Sequence, residues 1–171
     1  VSQAYGRGDY REIVKTLLRN FIIAMVIALS IIILKPLIFI LIQNSFKTSL
    51  ETQNLINTYL NVRIFSVPAE LAIYILVGFY LGIQKTKISS LLIVTLSILN
   101  IVFSALLVLT YNLNVFGVAL GTLFASYITL IIFTLFTSFI NSLLITFFLV
   151  TRLLSIYFGF LLFSFLFFII I

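Results

Sequence analysis

The sequence contains neither cysteine nor histidine, and these two absences narrow the chemistry open to the protein. Without cysteine there are no disulfides and no thiol chemistry. Without histidine the chain lacks the commonest metal ligand and general base. Its only acids are Asp9, Glu12, Glu51 and Glu70. This inventory argues against hydrolytic or metal-dependent catalysis, so we expect a transport protein without a bound cofactor rather than an enzyme.

Charge is scarce as well. Only 8% of the 171 residues are charged, 63% are hydrophobic, and the mean hydropathy is +1.34. Soluble proteins carry about 25% charged residues. A chain this apolar predicts an integral membrane protein whose main partner is the lipid bilayer. The net charge of +6 is too dispersed for a nucleic-acid surface, and the basic residues flank apolar segments, where they set topology.

Four apolar segments each have the roughly 20 residues that a helix needs to cross about 30 Å of hydrocarbon. Because lipid offers no hydrogen-bond partner to the backbone, each segment is predicted to be helical. Pro36 should kink or restart the first of them. The fold class is therefore all-α, a polytopic transmembrane bundle of four to five helices. The predicted segments are 21–42, 63–83, 88–110 and 115–137.

The two ends of the sequence are typical of a fragment of a longer membrane protein. The chain opens on Val1 within a polar stretch and ends in the uncapped apolar run "FLLFSFLFFIII". We expect 1–137 to form part of a helical lobe. The apolar tail 138–171, broken by Thr151 and Arg152, would be the start of a further helix or a sequence read out of register.

Basic residues are unequally divided between the two sides of the predicted membrane. Six lie on the side of the N-terminal segment and at most three on the other. Cytoplasmic loops carry the excess of Lys and Arg. We therefore expect a multi-pass inner-membrane (plasma-membrane) protein with its N-terminal segment and the "QKTK" connection in the cytoplasm. The six are Arg7, Arg11, Lys15, Arg19, Lys85 and Lys87; the three are Lys35, Lys47 and Arg63.

The third segment, "SILNIVFSALLVL", has an amide near its midpoint. Ser97 and Ser104 fall on the same helical face as Asn100. A polar side chain at that depth is costly in lipid, so this face should look into protein or a wet cavity. Two interpretations stay open, a hydrogen bond between helices and a ligand site.

The fourth segment repeats small residues every four positions, at Gly117, Gly121 and Ala125. This stripe favours close helix packing. Thr122 lies beside the stripe, followed by Ser126 and Thr129. The four-residue turn "YNLN" makes the third and fourth segments antiparallel neighbours. At about 1.5 Å per residue, Thr122 then lies within roughly one turn of Asn100 in depth, and the two can share a site.

The second segment contains a proline and an acid. Pro68 breaks the helical ladder, which transporters exploit at substrate and ion sites, although neighbouring helices often absorb such a kink. Glu70 is the only acid inside a predicted segment. An intramembrane acid suggests function, but an ion pair or a snorkelling group near the outer interface is an equal alternative. Gly78 and Gly82 form a second predicted close-contact pair.

Taken together, five stretches in register resemble the multidrug and toxic compound extrusion (MATE) transporters, especially their DinF-like branch. The resemblance covers about residues 1–135. The matching stretches are "VSQAYGRGDYRE", "TYLNVRIFSVPAEL", "GFYLGIQKTK", "SILNIVFSALLVL" and "NVFGVALGTLFASY".

The resemblance implies the third to sixth helices of a twelve-helix antiporter, driven by protons or sodium. Such a protein exports small organic compounds, often cationic or amphiphilic. The rest of its own transporter chain would be a partner of the helices in this sequence. Similar transporters place a cation site in this lobe, and Asn100 and Thr122 match two of its residues. Ser104 stands where the family has an aspartate, so Glu70 becomes a hypothetical substitute. The family's acid on the first helix has no counterpart in this sequence.

Two other functions stay open. One is a lipid-linked oligosaccharide flippase of the same superfamily, although those proteins line their cavity with several basic residues. The other is a membrane subunit that transports nothing and uses its polar residues to hold helices together.

Overall fold

The structure, a computed structural model, describes residues 1–45 and 49–140, and every regular element in these ranges is helical. The all-α prediction is confirmed. A short 3-10 turn, Ile64–Ser66, joins the fourth and fifth helices. The helices are α1 (Ser2–Gly6), α2 (Tyr10–Ile33), α3 (Lys35–Ser45), α4 (Leu50–Arg63), α5 (Val67–Gly82), α6 (Thr86–Leu109) and α7 (Asn114–Ile140). The predicted tail beyond Ile140 lies outside the described residues.

Within residues 1–45 and 49–140, four helical stretches are long and apolar enough to cross a membrane, in agreement with the four predicted segments. They are α2, the stretch Leu50–Gly82 that unites α4 and α5, α6, and Asn114–Phe136 of α7.

The first membrane helix begins earlier than its apolar run. A carboxylate oxygen of Asp9 accepts a hydrogen bond from the backbone N–H of Glu12 at 3.1 Å, which caps α2 at Tyr10 rather than at Phe21. The backbone N–H of Asp9 donates to the Ala4 carbonyl at 2.9 Å instead of to Glu12. Only one half of a capping box is therefore present. The polar first turns of α2 are helical because Asp9 caps the N-terminus of the helix. Hydropathy alone does not detect such a cap.

The predicted interruption at Pro36 is confirmed, since α2 ends at Ile33 and α3 begins at Lys35. The Lys35 ammonium lies 5.8 Å from the ring centre of Phe39 and 5.6 Å from that of Phe65. A cation over an aromatic face is stabilised by the ring quadrupole. This contact ties the start of α3 to the 3-10 turn.

The predicted start of the second membrane segment, at Arg63, is wrong. Residues from Leu50 onward form α4, which leads directly into the 3-10 turn and α5. The Ser49 hydroxyl accepts from the Thr52 N–H at 3.4 Å and caps the helix. A capped helix needs no apolar stripe to form when neighbouring helices support it. Arg63 thus lies in the interior of a long helical stretch rather than at its entrance.

The helix α5 packs against α2, α6 and α7 and organises the larger core. Its buried face includes Ile73 and Leu76, both nearly inaccessible to solvent. These side chains cluster with Leu17 of α2, Leu92 of α6 and Phe133 of α7. A second cluster joins α4, the 3-10 turn and α7.

The turn between α6 and α7 is as tight as the sequence predicts. Asn112 and Asn114 have positive φ values of 53° and 46°. Asparagine tolerates this left-handed region better than most residues. The Leu113 N–H donates to the Leu107 carbonyl at 3.3 Å and closes the turn. As a result, α6 and α7 run antiparallel and in contact along much of their length.

The small-residue stripe of α7 is the surface that α6 approaches. A Cβ built on Gly121 would lie 2.6 Å from the backbone nitrogen of Ser104, and one on Gly117 would lie 3.2 Å from the Leu107 carbonyl carbon. The predicted packing role of this stripe is confirmed. The second predicted glycine pair behaves differently. Gly82 abuts the Val1 side chain, but a Cβ on Gly78 would meet no described atom within 4 Å.

Candidate cation site

The amide oxygen of Asn100 is the centre of a small polar cluster between α6 and α7. Asn100 Oδ1 accepts a hydrogen bond from Ser104 Oγ at 3.1 Å and another from Thr122 Oγ1 at 3.2 Å. The structure therefore brings the three sequence-predicted residues together. Ser97 does not join them: its exposed hydroxyl donates to the Ile93 carbonyl of its own helix at 2.9 Å.

The close contact at Gly121 makes this cluster possible. Asn100 and Ser104 are one turn apart on α6, and Thr122 follows Gly121 on α7. Because Gly121 has no side chain, the α6 backbone comes close enough for the Thr122 hydroxyl to reach across to Asn100. The result is three neutral oxygen atoms, with the two hydroxyls each hydrogen-bonded to the amide oxygen. Hard cations prefer oxygen ligands of this kind.

The acid of the second segment is held in a two-pronged ion pair with an arginine. Arg63 Nη1 donates to Glu70 Oε1 and Nη2 donates to Glu70 Oε2, the latter at 3.0 Å. Arg63 Nη1 also donates to the Ser66 hydroxyl, which in turn donates to the Arg63 carbonyl at 2.6 Å. Arg63 and Glu70 are seven residues apart, so about two helical turns place them on one face across the 3-10 turn.

This ion pair is largely withdrawn from the surface. The Arg63 side chain is 28% exposed and that of Glu70 is 17% exposed. Glu70 contacts Ser126, which lies close to the midpoint of α7. The pair thus lies within the bundle and in the interior of the Leu50–Gly82 stretch, not at an end of that stretch, where a snorkelling side chain would be found.

A fully buried serine links the ion pair to the Asn100 cluster. Ser126 Oγ lies 2.9 Å from the Thr122 carbonyl oxygen and 3.4 Å from Glu70 Oε1, so its single proton can be donated to either. Thr122 and Ser126 are one turn apart on α7 and share a face. The sequence placed Ser126 beside Thr122 but indicated no role for it or for Ser66, and it predicted only a topological role for Arg63. The four-residue spacing of Thr122 and Ser126 indicates that they share one face of α7. It does not indicate that α5 approaches that face.

The region around Pro68 is anchored to α7. Pro68 lies in the first turn of α5, directly after the 3-10 turn, so the α-helical pattern is interrupted where the sequence predicts a kink. Proline has no N–H to donate to the preceding turn. The Tyr127 hydroxyl donates to the Phe65 carbonyl at 3.0 Å. The Phe65 carbonyl, next to the interruption, is therefore accessible to a side chain of α7.

One buried hydroxyl near this network has no hydrogen-bond partner among the described residues. Thr129 is fully inaccessible, and its Oγ1 makes no hydrogen bond within the described part of the chain. Thr129→Val should therefore stabilise the protein by up to about 1 kcal/mol, since it removes an unsatisfied polar group and nearly keeps the shape. Thermal unfolding of the purified protein measures the change.

The matched control for that substitution is Thr122→Val, which removes a hydroxyl that makes two contacts. It should destabilise by about 1 kcal/mol, the usual scale for hydrogen bonds between membrane helices. If Thr129→Val were as destabilising as Thr122→Val, the Thr129 hydroxyl would have a partner such as a bound water.

Comparison with known proteins gives two matches. The MatE family model matches residues 1–106. DNA damage-inducible protein F of Escherichia coli (strain K12) is 34% identical over 131 residues, which cover 77% of this chain and 28% of that protein. No solved structure matches.

Proposed function

Since the chain belongs to the MATE (MatE) family of transporters, as the match over residues 1–106 shows, we propose that it is part of a cation-coupled antiporter. The antiporter would export small organic compounds, cationic or amphiphilic in character. The chain spans 28% of the length of its curated relative, so this activity belongs to the natural protein that contains these residues.

The observation that carries the proposal is the convergence of oxygens on Asn100. Ser104 and Thr122 reach its amide oxygen at 3.1 and 3.2 Å, in the middle of two membrane helices. An isolated polar residue at that depth costs free energy, so a cluster there favours an ion pathway. Once the two donor hydroxyls rotate away from Asn100 Oδ1, all three oxygens present lone pairs to a cation.

The residue types also bear on the choice of ion. None of the three side chains titrates near neutral pH. The cluster by itself therefore suits sodium, whereas coupling to protons requires a carboxylate in addition. Glu70 is the acid that the described network connects to it.

The proposed setting follows the charge distribution. The N-terminal segment and the "QKTK" connection would face the cytoplasm of a cell whose inner membrane holds the protein, because basic residues concentrate on that side. The membrane helices α2, α4–α5, α6 and α7 would be the third to sixth of the transporter. Alternating access would rock this lobe against another around a central cavity.

Asn100→Ala tests the proposal in the natural protein, reconstituted in liposomes. Efflux of a fluorescent cationic dye is driven by an imposed sodium or pH gradient. We expect the gradient-driven rate to fall at least tenfold, because two hydroxyls lose their shared acceptor. A variant that folds and transports at the wild-type rate would overturn the proposed site.

Ser97→Ala is the matched control for this experiment. Ser97 lies on the same helix, one turn before Asn100, but its hydroxyl bonds only its own helix and is exposed. Its removal should leave gradient-driven efflux unchanged. Dye transport by the control also distinguishes an exporter from a flippase and from a subunit without transport.

A further inference from the structure

We propose that Glu70 supplies the negative charge for the Asn100 cluster, and that Arg63 is a tethered cation that occupies Glu70 while the cluster holds no ion. The inference rests on the proposed function, since it assumes that a monovalent cation enters the cluster.

The first argument is one of charge. Asn100, Ser104 and Thr122 are neutral, and moving a cation into the bilayer interior without an opposing charge is costly. The only charged residue on α6 is Lys87, in its first turn, and α7 has none. The negative charge must therefore come from another element. Glu70 of α5 is the acid that contacts α7.

The second argument is the path that joins the two groups. Glu70 Oε1 lies 3.4 Å from Ser126 Oγ, which lies 2.9 Å from the carbonyl oxygen of Thr122. The side chain of that same Thr122 bonds Asn100 at 3.2 Å. Ser126 has one proton for two acceptors, so a change at Glu70 alters which acceptor it serves. The carboxylate and the cluster are thus connected through the Ser126 hydroxyl and the backbone of Thr122.

The third argument concerns Arg63, which uses both carboxylate oxygens of Glu70. An entering cation must compete with it for these oxygens. Ser66 Oγ gives the guanidinium a second acceptor that remains when Glu70 turns away. The pair is therefore arranged for exchange: Glu70 can change partner while Arg63 keeps a hydrogen bond.

Few other charges or titratable groups approach the pair. Tyr59 of α4 interacts with Arg63. The Tyr127 hydroxyl of α7 donates to the Phe65 carbonyl. Lys35 of α3 lies over the Phe65 ring. The charged residues of α2 all lie in its N-terminal half, and those at the junction of α5 and α6 lie at the far end of α5. Among the described residues, Arg63 is the one charge that is hydrogen-bonded to Glu70. The α2 residues are Arg11, Glu12, Lys15 and Arg19, and the junction residues are Lys85 and Lys87.

The experiment measures cation binding by the natural protein in detergent or nanodiscs. One arm follows the thermal unfolding midpoint against sodium chloride, with choline chloride at the same ionic strength as reference. The second arm follows the midpoint against pH without sodium. A cation that binds the folded state raises the midpoint as its concentration increases. The wild-type response identifies sodium or the proton as the ion.

Three variants define the expected result. Glu70→Gln keeps the shape of the side chain but not its charge. It should require at least a tenfold higher ion concentration for the same rise in the unfolding midpoint. Glu70→Asp keeps the charge and should retain most of the response. Arg63→Lys keeps a positive charge but loses the bidentate hydrogen bonding to Glu70. Because the lysine competes less strongly for the carboxylate, this variant should bind the ion several-fold more tightly. Tighter binding is an effect that mere structural damage does not produce.

Asn100→Ala separates this inference from the proposed function. If Asn100→Ala loses the response and Glu70→Gln keeps it, the role of Glu70 is overturned while the cation site stands. If Asn100→Ala keeps the response, the site itself is overturned, whatever Glu70→Gln does. If Arg63→Lys binds the ion with wild-type affinity, the proposed competition between Arg63 and the ion for Glu70 is overturned. Loss of the response in both Asn100→Ala and Glu70→Gln, with tighter binding in Arg63→Lys, supports the whole proposal.

Discussion

Gly121→Ala is expected to destabilise the protein by about 1–3 kcal/mol, the usual range for overpacking a tight interface. The added Cβ would lie 2.6 Å from the backbone nitrogen and 2.7 Å from the Cα of Ser104. Backbone cannot rotate away as a side chain can, so α6 must shift. The shift would also pull Asn100 away from Thr122, whose 3.2 Å contact depends on this close approach. We therefore expect both the thermal unfolding midpoint and the rate of cation-driven efflux to be lower than in the wild type.

Two other glycines in membrane helices provide a graded control. A Cβ on Gly117 would be 3.1–3.3 Å from its neighbours, so Gly117→Ala should cost less than Gly121→Ala. A Cβ on Gly78 would meet no described atom within 4 Å. Gly78→Ala should stabilise by up to about 1 kcal/mol, because alanine is the better helix former. Equal effects at all three positions would contradict the close contact at Gly121.

Arg63→Ala should be the most destabilising single substitution that we predict, by about 3–5 kcal/mol. It removes both hydrogen bonds to the Glu70 carboxylate and leaves an unpaired negative charge that is 17% exposed. A charge in the bilayer interior is costly. A lower unfolding midpoint and a lower yield of folded protein in membranes would both report the loss.

The double variant Arg63→Ala with Glu70→Ala distinguishes pairing from packing. If the damage comes from the orphaned carboxylate, removing that carboxylate should restore more than half of the lost stability. If the double variant is at least as unstable as Arg63→Ala alone, the arginine stem contributes mainly through packing. The coupling energy of the cycle gives the strength of the pair directly.

The sequence predicts the elements that depend on local chemistry. Apolar length locates the membrane helices, and "YNLN" predicts a tight turn that Asn112 and Asn114 close with positive φ. Helical spacing and that turn together fix the relative depth of Asn100 and Thr122. These two residues could be paired in advance because a four-residue connection leaves the two helices little freedom to slide.

The remainder depends on contacts that no local pattern encodes. The polar helix α4 is invisible to hydropathy, because asparagine, threonine and charged residues interrupt its apolar positions and its support comes from α7 and the 3-10 turn. The position of Glu70 beside Ser126 joins residues 56 apart in the chain. Such a contact depends on how α5 and α7 cross. For the same reason, Gly78 and Gly82 look alike in the sequence and yet differ in the structure.

The interface between α6 and α7 has a mechanical consequence. The two helices interlock at Gly117 and Gly121, whereas the polar link to α5 is the longer contact of Ser126 with Glu70, 3.4 Å. Another polar contact with α5 lies near the "QKTK" end, where Ser89 Oγ donates to the Val77 carbonyl at 3.3 Å. The interlocked helices α6 and α7 should therefore move as one unit, which the Tyr127 hydroxyl anchors to the 3-10 turn at the Phe65 carbonyl. The three oxygens of the Asn100 cluster lie on these two helices and would keep their spacing during such a movement.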